Sequence, residues 1–288
     1  MENKIYLRFM GGLGNQMFQY AFMRSLIAHG QDAYPNMEWF EKNTNPSLYF
    51  LLPEVFPKVS IPNVDDTLCK KSRRLQRIHK GINLLCRKEV FYVGEREDAV
   101  FEPDVFQRTG GTFDGYWQSE RYFKEIEDEI RDTFTFSVKD KTLADFIRKM
   151  EQQENTVSVH LRRGDYKGVE DMYGGICTTE YYQRALDDME NHLEHPVFYI
   201  FSNDMDWVKE NFKGKNFIYI TSGMFDTYEN WYDMLLMSKC KNNIIANSSF
   251  SWWGAWLNAN PTKRVIAPQK WVNTSSTPDK WAEGWMKL

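Results

Sequence analysis

Cysteine is sparse and shows no pairing pattern. Cys69, Cys86, Cys177 and Cys240 lie far apart, with no Cys-x-x-Cys spacing. That excludes a disulfide scaffold and leaves inert thiols in a reducing compartment as the reading. Long apolar runs are missing too. No stretch approaches the roughly 18 to 20 residues of a membrane span, and MENKIYLRF at the start carries no signal-peptide core. The expectation is a cytoplasmic chain. A large excess of one charge sign is also missing: a net charge of −4 argues against general nucleic-acid binding, which draws on a basic surface. The sequons at Asn247 and Asn273 mean nothing without a secretory route.

What is present is a globular composition with many aromatics: 10 Trp, 15 Tyr and 20 Phe in 288 residues. The length accommodates two domains of ordinary size. KIYLRFM reads as a buried strand, followed by a glycine turn and a helix from about Asn15 to His29, with Gly30 as its C-cap. Residues 31–110 read as irregular, with one amphipathic helix. TFDGYW is strand-like, and Ser119 is placed to cap a helix through RYFKEIEDEIRDTF. The helical KTLADFIRKMEQQ comes next. From about residue 155, TVSVHLRR, PVFYIFSN, FIYIT, NNIIAN and RVIAPQ alternate with four helical stretches. Such alternation predicts a doubly wound parallel sheet. The expected division is 1–140, 141–270 and a tail, 271–288, packing back on the body.

Polar residues gather where these strands end, which is where such sheets bind ligands. In VSVHLRRGDY, His160 and Arg162 share one strand face. Two adjacent arginines, Arg162 and Arg163, suit a diphosphate, because the guanidinium fork matches phosphate oxygens. His160 and Asp165 are candidates to orient that site; an Arg163–Asp165 ion pair is the structural alternative. FYIFSNDMDW carries Asp204 and Asp206, for which three readings stand: a metal on a nucleotide diphosphate, acids in the first turn of a helix, or contact of Asn203 or Asp204 with a nucleoside. In NSSFSWWGAWL, Ser248 or Ser249 caps a helix whose start can receive phosphate oxygens, and Trp252, Trp253 and Trp256 read as core.

MGGLGNQMFQYAF resembles a nucleotide loop but fails both familiar tests. A Rossmann fingerprint starting at Gly12 needs glycine where Met17 stands, and a P-loop needs Gly-Lys-Ser/Thr. Gly11, Gly12 and Gly14 still allow an open turn, with the amides of Asn15 and Gln16 at the helix start. The basic CKKSRRLQRIHKGINLLCRK, with Leu75, Ile78, Ile82 and Leu85 on one helical face, reads either as a solvated helix with one buried face or as a helix resting on an anionic membrane or lipid-linked acceptor.

The collinear series GGLGNQMFQYA, HLRRGDY, FSND and NSSFSWWGAWL resembles the bacterial α-1,2-fucosyltransferases of glycosyltransferase family 11. That resemblance implies a GT-B-like α/β architecture, two Rossmann-like domains facing a cleft, with GDP-L-fucose held mainly by the C-terminal one. It implies inverting transfer of fucose to the 2-hydroxyl of a β-galactoside, without a required metal or other cofactor. It makes Arg162 the phosphate-binding residue, with His160 and Asp165 at the other fixed positions of that block. Asn15 would face the diphosphate or fucose, beside Gly12 and Gly14. Asn203 or Asp204 would lie near guanosine, and Ser248, Ser249 and Phe250 around the phosphates. Other GDP-sugar transferases, α-1,6- or protein O-fucosyl, and a non-catalytic glycan- or sugar-nucleotide-binding protein are the alternatives.

Overall fold

The structure, a computed structural model, describes residues 3–62, 92–95, 99–162 and 170–288. The chain forms two compact units: 1–135 with 278–280, and 136–277 with 281–288.

The first unit holds a parallel sheet of β1 (Lys4–Arg8), β2 (Asp32–Asn36), β3 (Tyr92–Gly94) and β4 (Gly111–Asp114), in the order β2-β1-β4-β3. Strand β1 buries Ile5 and Leu7 at the alternation a pleated strand requires. Its exit turns at Gly11, whose φ of +79° puts it in the left-handed region that only glycine enters cheaply. Helix α1 (Leu13–Ala28) then begins with Gly12 as N-cap, ahead of the polar Asn15 that marks the start in the sequence. Almost every face of α1 is buried, so two glutamines must be satisfied inside. Gln16 donates to the carbonyls of Gly11 (3.0 Å) and Tyr49 (2.8 Å) and accepts from Leu51 N–H (2.9 Å). Gln19 accepts from Met10 N–H at 3.0 Å. The helix ends in a Schellman motif: Gly30 N–H bonds Ile27 O and Gln31 N–H bonds Leu26 O, with Gly30 at φ +80°.

Two expectations for this unit change. Residues 31–110 contain strands β2 and β3. Pro35 disguises β2, yet it stands on an edge strand, where a missing N–H is tolerated. The basic stretch 69–88 lies outside the described residues. Ser119 does cap, accepting from Arg121 N–H at 3.3 Å, but it opens two 3-10 turns before the chain enters α2 (Glu127–Thr133). Bonds from Tyr122 N–H to Ser119 O and from Phe123 N–H to Glu120 O tighten the backbone. Tyr122 and Phe123 thereby both seat in the aromatic core, against Phe22 and Phe18.

The second unit begins with α3 (Lys141–Glu151), capped by Asp140. Its sheet is β5 (Thr156–Leu161), β6 (Val197–Ser202), β7 (Phe217–Tyr219), β8 (Asn242–Ile244), β9 (Val265–Ala267) and β10 (Met286–Lys287), all parallel. The order is β10-β9-β8-β5-β6-β7. The tail thus supplies a sixth strand beyond the five legible by alternation. Crossovers include α4 (Thr179–His192), α5 (Met205–Asn211), α6 (Trp231–Lys239) and α7 (Ser249–Trp256). The chain winds outward from β5 to β7, then resumes on the other side of β5 at β8. This reversal opens a crevice beyond the carboxyl ends of β5 and β8, the position where open α/β sheets bind ligands.

Helix α7 is buried along most of its length, with Trp252, Trp253 and Trp256 in the core. Gly254 permits close contact with α6: a Cβ there would stand 2.9 Å from Met237 Cβ. Among the described residues, no helix is long and apolar enough to cross a membrane.

Candidate active site

The β5–β8 crevice gains its chemistry from the residues just beyond the two strands. Arg162 comes directly after β5, and Ser248 caps α7 after β8. The Arg162 Nη1 donates to Ser248 Oγ at 2.7 Å. The same oxygen accepts from Phe250 N–H at 3.3 Å, so one hydroxyl orders both the guanidinium and the helix start. Positive charge and a helix N-terminus converge there, as an anion site requires.

Two adjacent tyrosines of α4 hold the strand ends. Tyr182 Oη donates to His160 O at 2.9 Å, and Tyr181 Oη donates to Ile245 O at 2.7 Å. The NSS turn is fixed from its other side. Asn247 donates to Trp271 O at 3.0 Å and accepts from the Cys177 thiol at 3.3 Å. Asn247 is buried, so its sequon has no accessible amide. Burial pushes the Cys177 thiol up to about 12 and the Cys240 thiol up as well, which keeps both in the unreactive protonated form.

An open pocket of about 560 Å³ extends from this pair, lined by His160, Arg162, Asn203, Asp206 and Phe250 together with Lys209, Thr221, Tyr228 and Asp233. Its volume suits a nucleotide-sized ligand. His160 is nearly buried on β5, its ring 6.0 Å from that of Phe250. Away from the arginine, Tyr228 Oη donates to Asp233 Oδ1 at 2.8 Å. Desolvation raises the Asp233 carboxyl to about 7, against the opposing hydrogen bond from Tyr228. Burial, followed by the neighbouring Asp233 charge, raises the Tyr228 phenol.

The structure brings together Arg162, His160, Asn203, Ser248 and Phe250, with Ser249 as the first residue of α7. Asp204 does not line the pocket. It is the N-cap of α5, its N–H donating to Ser202 Oγ at 3.0 Å and its carbonyl accepting from Val208 N–H at 3.1 Å. The first helical turn therefore presents Asp206 instead. Among the described residues, no group of three His, Cys, Asp or Glu is arranged to hold a metal ion. Arg163 and Asp165 lie outside the described residues. Asn15, Gly12 and Gly14 belong to the first unit, where Gly14 is buried in α1 and Asn15 accepts from Gln118 Nε2 at 2.7 Å. Sequence reasoning missed Tyr228 and Asp233. Their five-residue spacing on either side of a helix start resembles any tyrosine–carboxylate pair, and only the crossover carries them to the pocket.

A parallel α/β unit with an arginine and a helix start at its switch point has the makings of a site for phosphorylated ligands. A family model for glycosyl transferase family 11 matches residues 111–288. Across 96% of this chain and 97% of the relative, the sequence is 34% identical to an α-1,2-colitosyltransferase of Escherichia coli. It is 28% identical to the O-antigen biosynthesis glycosyltransferase WbnK of Escherichia coli, over 99% of this chain and 100% of that one. It is 26% identical to the galactoside α-(1,2)-fucosyltransferase 1 of Aotus azarae, over 88% of this chain and 64% of that one. Its backbone is similar to that of the fucosyltransferase NodZ from Bradyrhizobium, with a TM-score of 0.46, 13% identity and coverage of 88% of this chain and 92% of that one. The chain belongs to glycosyltransferase family 11.

Proposed function

We propose that the protein transfers L-fucose from GDP-L-fucose to the 2-hydroxyl of a terminal β-galactose, with inversion, leaving an α-1,2 linkage. The observation that carries this reading is the Arg162–Ser248 pair at the start of α7. As the bond from fucose to GDP breaks, negative charge grows on the β-phosphate. In this reading Arg162 and the helix start supply the donors that stabilise it without a metal. The sugar gains oxocarbenium character, and the acceptor hydroxyl attacks from the opposite face. Asn203 and Asp233 stand in the pocket for the nucleoside. The carboxylate matches the two adjacent N–H donors on the Watson–Crick edge of guanine.

A second donor is favoured by the 34% identity to a colitosyltransferase. Colitose is L-fucose without its 3-hydroxyl, so both donors share the GDP and the leaving-group chemistry and differ by one polar group. The test is GDP release and product linkage by NMR, with GDP-L-fucose and GDP-colitose offered in parallel to lactose, N-acetyllactosamine and Gal-β1,3-GalNAc. An α-1,2-fucosylated product supports the reading. Turnover of GDP-colitose alone reassigns the donor, and another linkage reassigns the acceptor position. Activity is expected to persist in EDTA. Complete loss with rescue by Mn²⁺ contradicts leaving-group stabilisation by Arg162 alone.

A further inference from the structure

One wall of the second unit's pocket is not built on a strand. Thr221, Ser222, Tyr228 and Asn230 all come from the connection between β7 and α6, which holds a single 3-10 turn at Ser222–Met224. Such a connection leaves backbone donors that need partners elsewhere. They are found at the start of α3, in the same unit. Thr227 N–H and Thr227 Oγ1 donate to Asp140 Oδ2 at 2.9 and 3.0 Å, and Asp226 N–H donates to Thr142 Oγ1 at 3.0 Å. The other carboxylate oxygen, Oδ1, caps α3. It accepts from Thr142 N–H at 2.8 Å, Thr142 Oγ1 at 2.5 Å and Leu143 N–H at 3.1 Å.

The carboxylate fixes every proton in this cluster. An ionised carboxylate only accepts, so Thr142 and Thr227 each direct their one hydroxyl proton to Asp140. Thr142 Oγ1 is then an acceptor for Asp226 N–H, and Thr227 Oγ1 an acceptor for Tyr232 Oη at 3.0 Å. The bond from Thr142, followed by that from Thr227 N–H, holds the Asp140 carboxyl well below the ordinary carboxylate range. Aromatic packing carries the order on to Tyr228. Its ring lies nearly parallel to that of Phe225, 7° apart with centroids at 6.4 Å, while Phe225 meets Phe146 of α3 edge-on at 5.5 Å. Tyr232 packs edge-on against Tyr228 at 6.0 Å. Tyr228 Oη finally donates to Asp233 Oδ1 at 2.8 Å.

We infer that Asp140 is a positioning residue for the nucleoside end of the pocket: through Thr227 it holds Tyr228 against Asp233, which fixes the plane of the carboxyl group offered to the base. This rests on the reading that Asp233 meets guanine. A carboxylate oxygen has two lone pairs, so Oδ1 accepts from Tyr228 and keeps one for the ligand. The group that profits is a base with two adjacent N–H donors, and the anion contacts of Arg162 do not depend on the clamp.

The decisive variants are Asp140→Asn and Asp140→Ser. Both keep an oxygen to cap α3, since Asn and Ser rank with Asp as N-caps. Neither offers Thr227 an acceptor: Asn turns N–H₂ towards the Thr227 N–H, and Ser has no second oxygen. Dissociation constants for GDP and ADP, which share the diphosphate and differ in the base, are measured for wild type, D140N, D140S, Y228F, D140N/Y228F and D233N, with melting temperatures. D140N and D140S are expected to weaken GDP about tenfold, the scale of a lost hydrogen bond to a charged group, with ADP affinity and melting temperature retained. In the Y228F background D140N is expected to add nothing. Equal weakening of GDP and ADP marks a merely structural role and overturns the clamp. Unchanged GDP affinity in both Asp140 variants, or a full second loss in Y228F, overturns it too. D233N separates the two claims. If it binds GDP as wild type does, the guanine reading fails and the inference with it; if it loses GDP selectively while the Asp140 variants do not, the clamp alone fails.

Discussion

Arg162 Nη1 is held by Ser248 Oγ, the same oxygen that caps α7. Substitution at 162 therefore disturbs more than a charge. Lysine keeps the charge but lacks the fork, so it cannot bond the serine and two ligand oxygens in one plane. Arg162→Lys is expected to reduce kcat by about 10²-fold, the scale of losing one preorganised donor at a developing anion. Steady-state GDP release measures it, and near-normal turnover removes Arg162 from the proposed role. Residues such as Arg162, Asn203 and Ser248 were legible in the sequence because each ends a strand, and strand ends recur in the hydrophobic pattern. Tyr181 and Tyr182, which pin those ends, were not legible. Their hydroxyls reach carbonyls 64 and 22 residues away, and no local pattern encodes such a reach.

At the scale of elements, the pairing of α6 with α7 governs both packing and titration. Gly254 lets the two helices approach, and Gly254→Ala brings a methyl within 2.9 Å of the Met237 Cβ. Overpacking of this kind is expected to cost about 1–3 kcal/mol, read as a lower urea midpoint at unchanged slope. Asp233, in the first turn of α6, has its folded-state pKa raised to about 7 from an ordinary 3.8. The folded chain therefore holds more protons than the unfolded one across that window. This group's contribution to stability falls as pH rises from about 4 to about 7. Asp233→Asn is expected to flatten that slope in thermal melts. It is also expected to abolish a gain in GDP affinity as the carboxylate ionises, and an unchanged pH profile by calorimetry would contradict the guanine contact. The doubly wound sheet itself was readable from the alternation after residue 155. Strand β10 escaped because it has only two residues, too few to show a period.

Across the whole molecule, two parallel α/β units succeed one another along the chain, and membership of glycosyltransferase family 11 spans both through the relatives' full-length matches. The second unit carries the crevice beyond β5 and β8, whose Arg162, Asn203 and Ser248 were visible as motifs. The first unit was harder to read. Its glycine loop had no nucleotide signature, and Asn15 accepts a hydrogen bond from Gln118, far away in sequence. In the proposed reaction this chain breaks the sugar–phosphate bond of a GDP-deoxysugar and passes the sugar to a galactoside. The most direct test mixes the purified full chain with GDP-L-fucose and a β-galactoside in EDTA, follows GDP release, and assigns the product by NMR. The expected result is GDP release that depends on acceptor, an α-1,2-linked product, and turnover about 10²-fold lower in R162K. GDP release from neither GDP-L-fucose nor GDP-colitose, under conditions where the protein is folded, would contradict it.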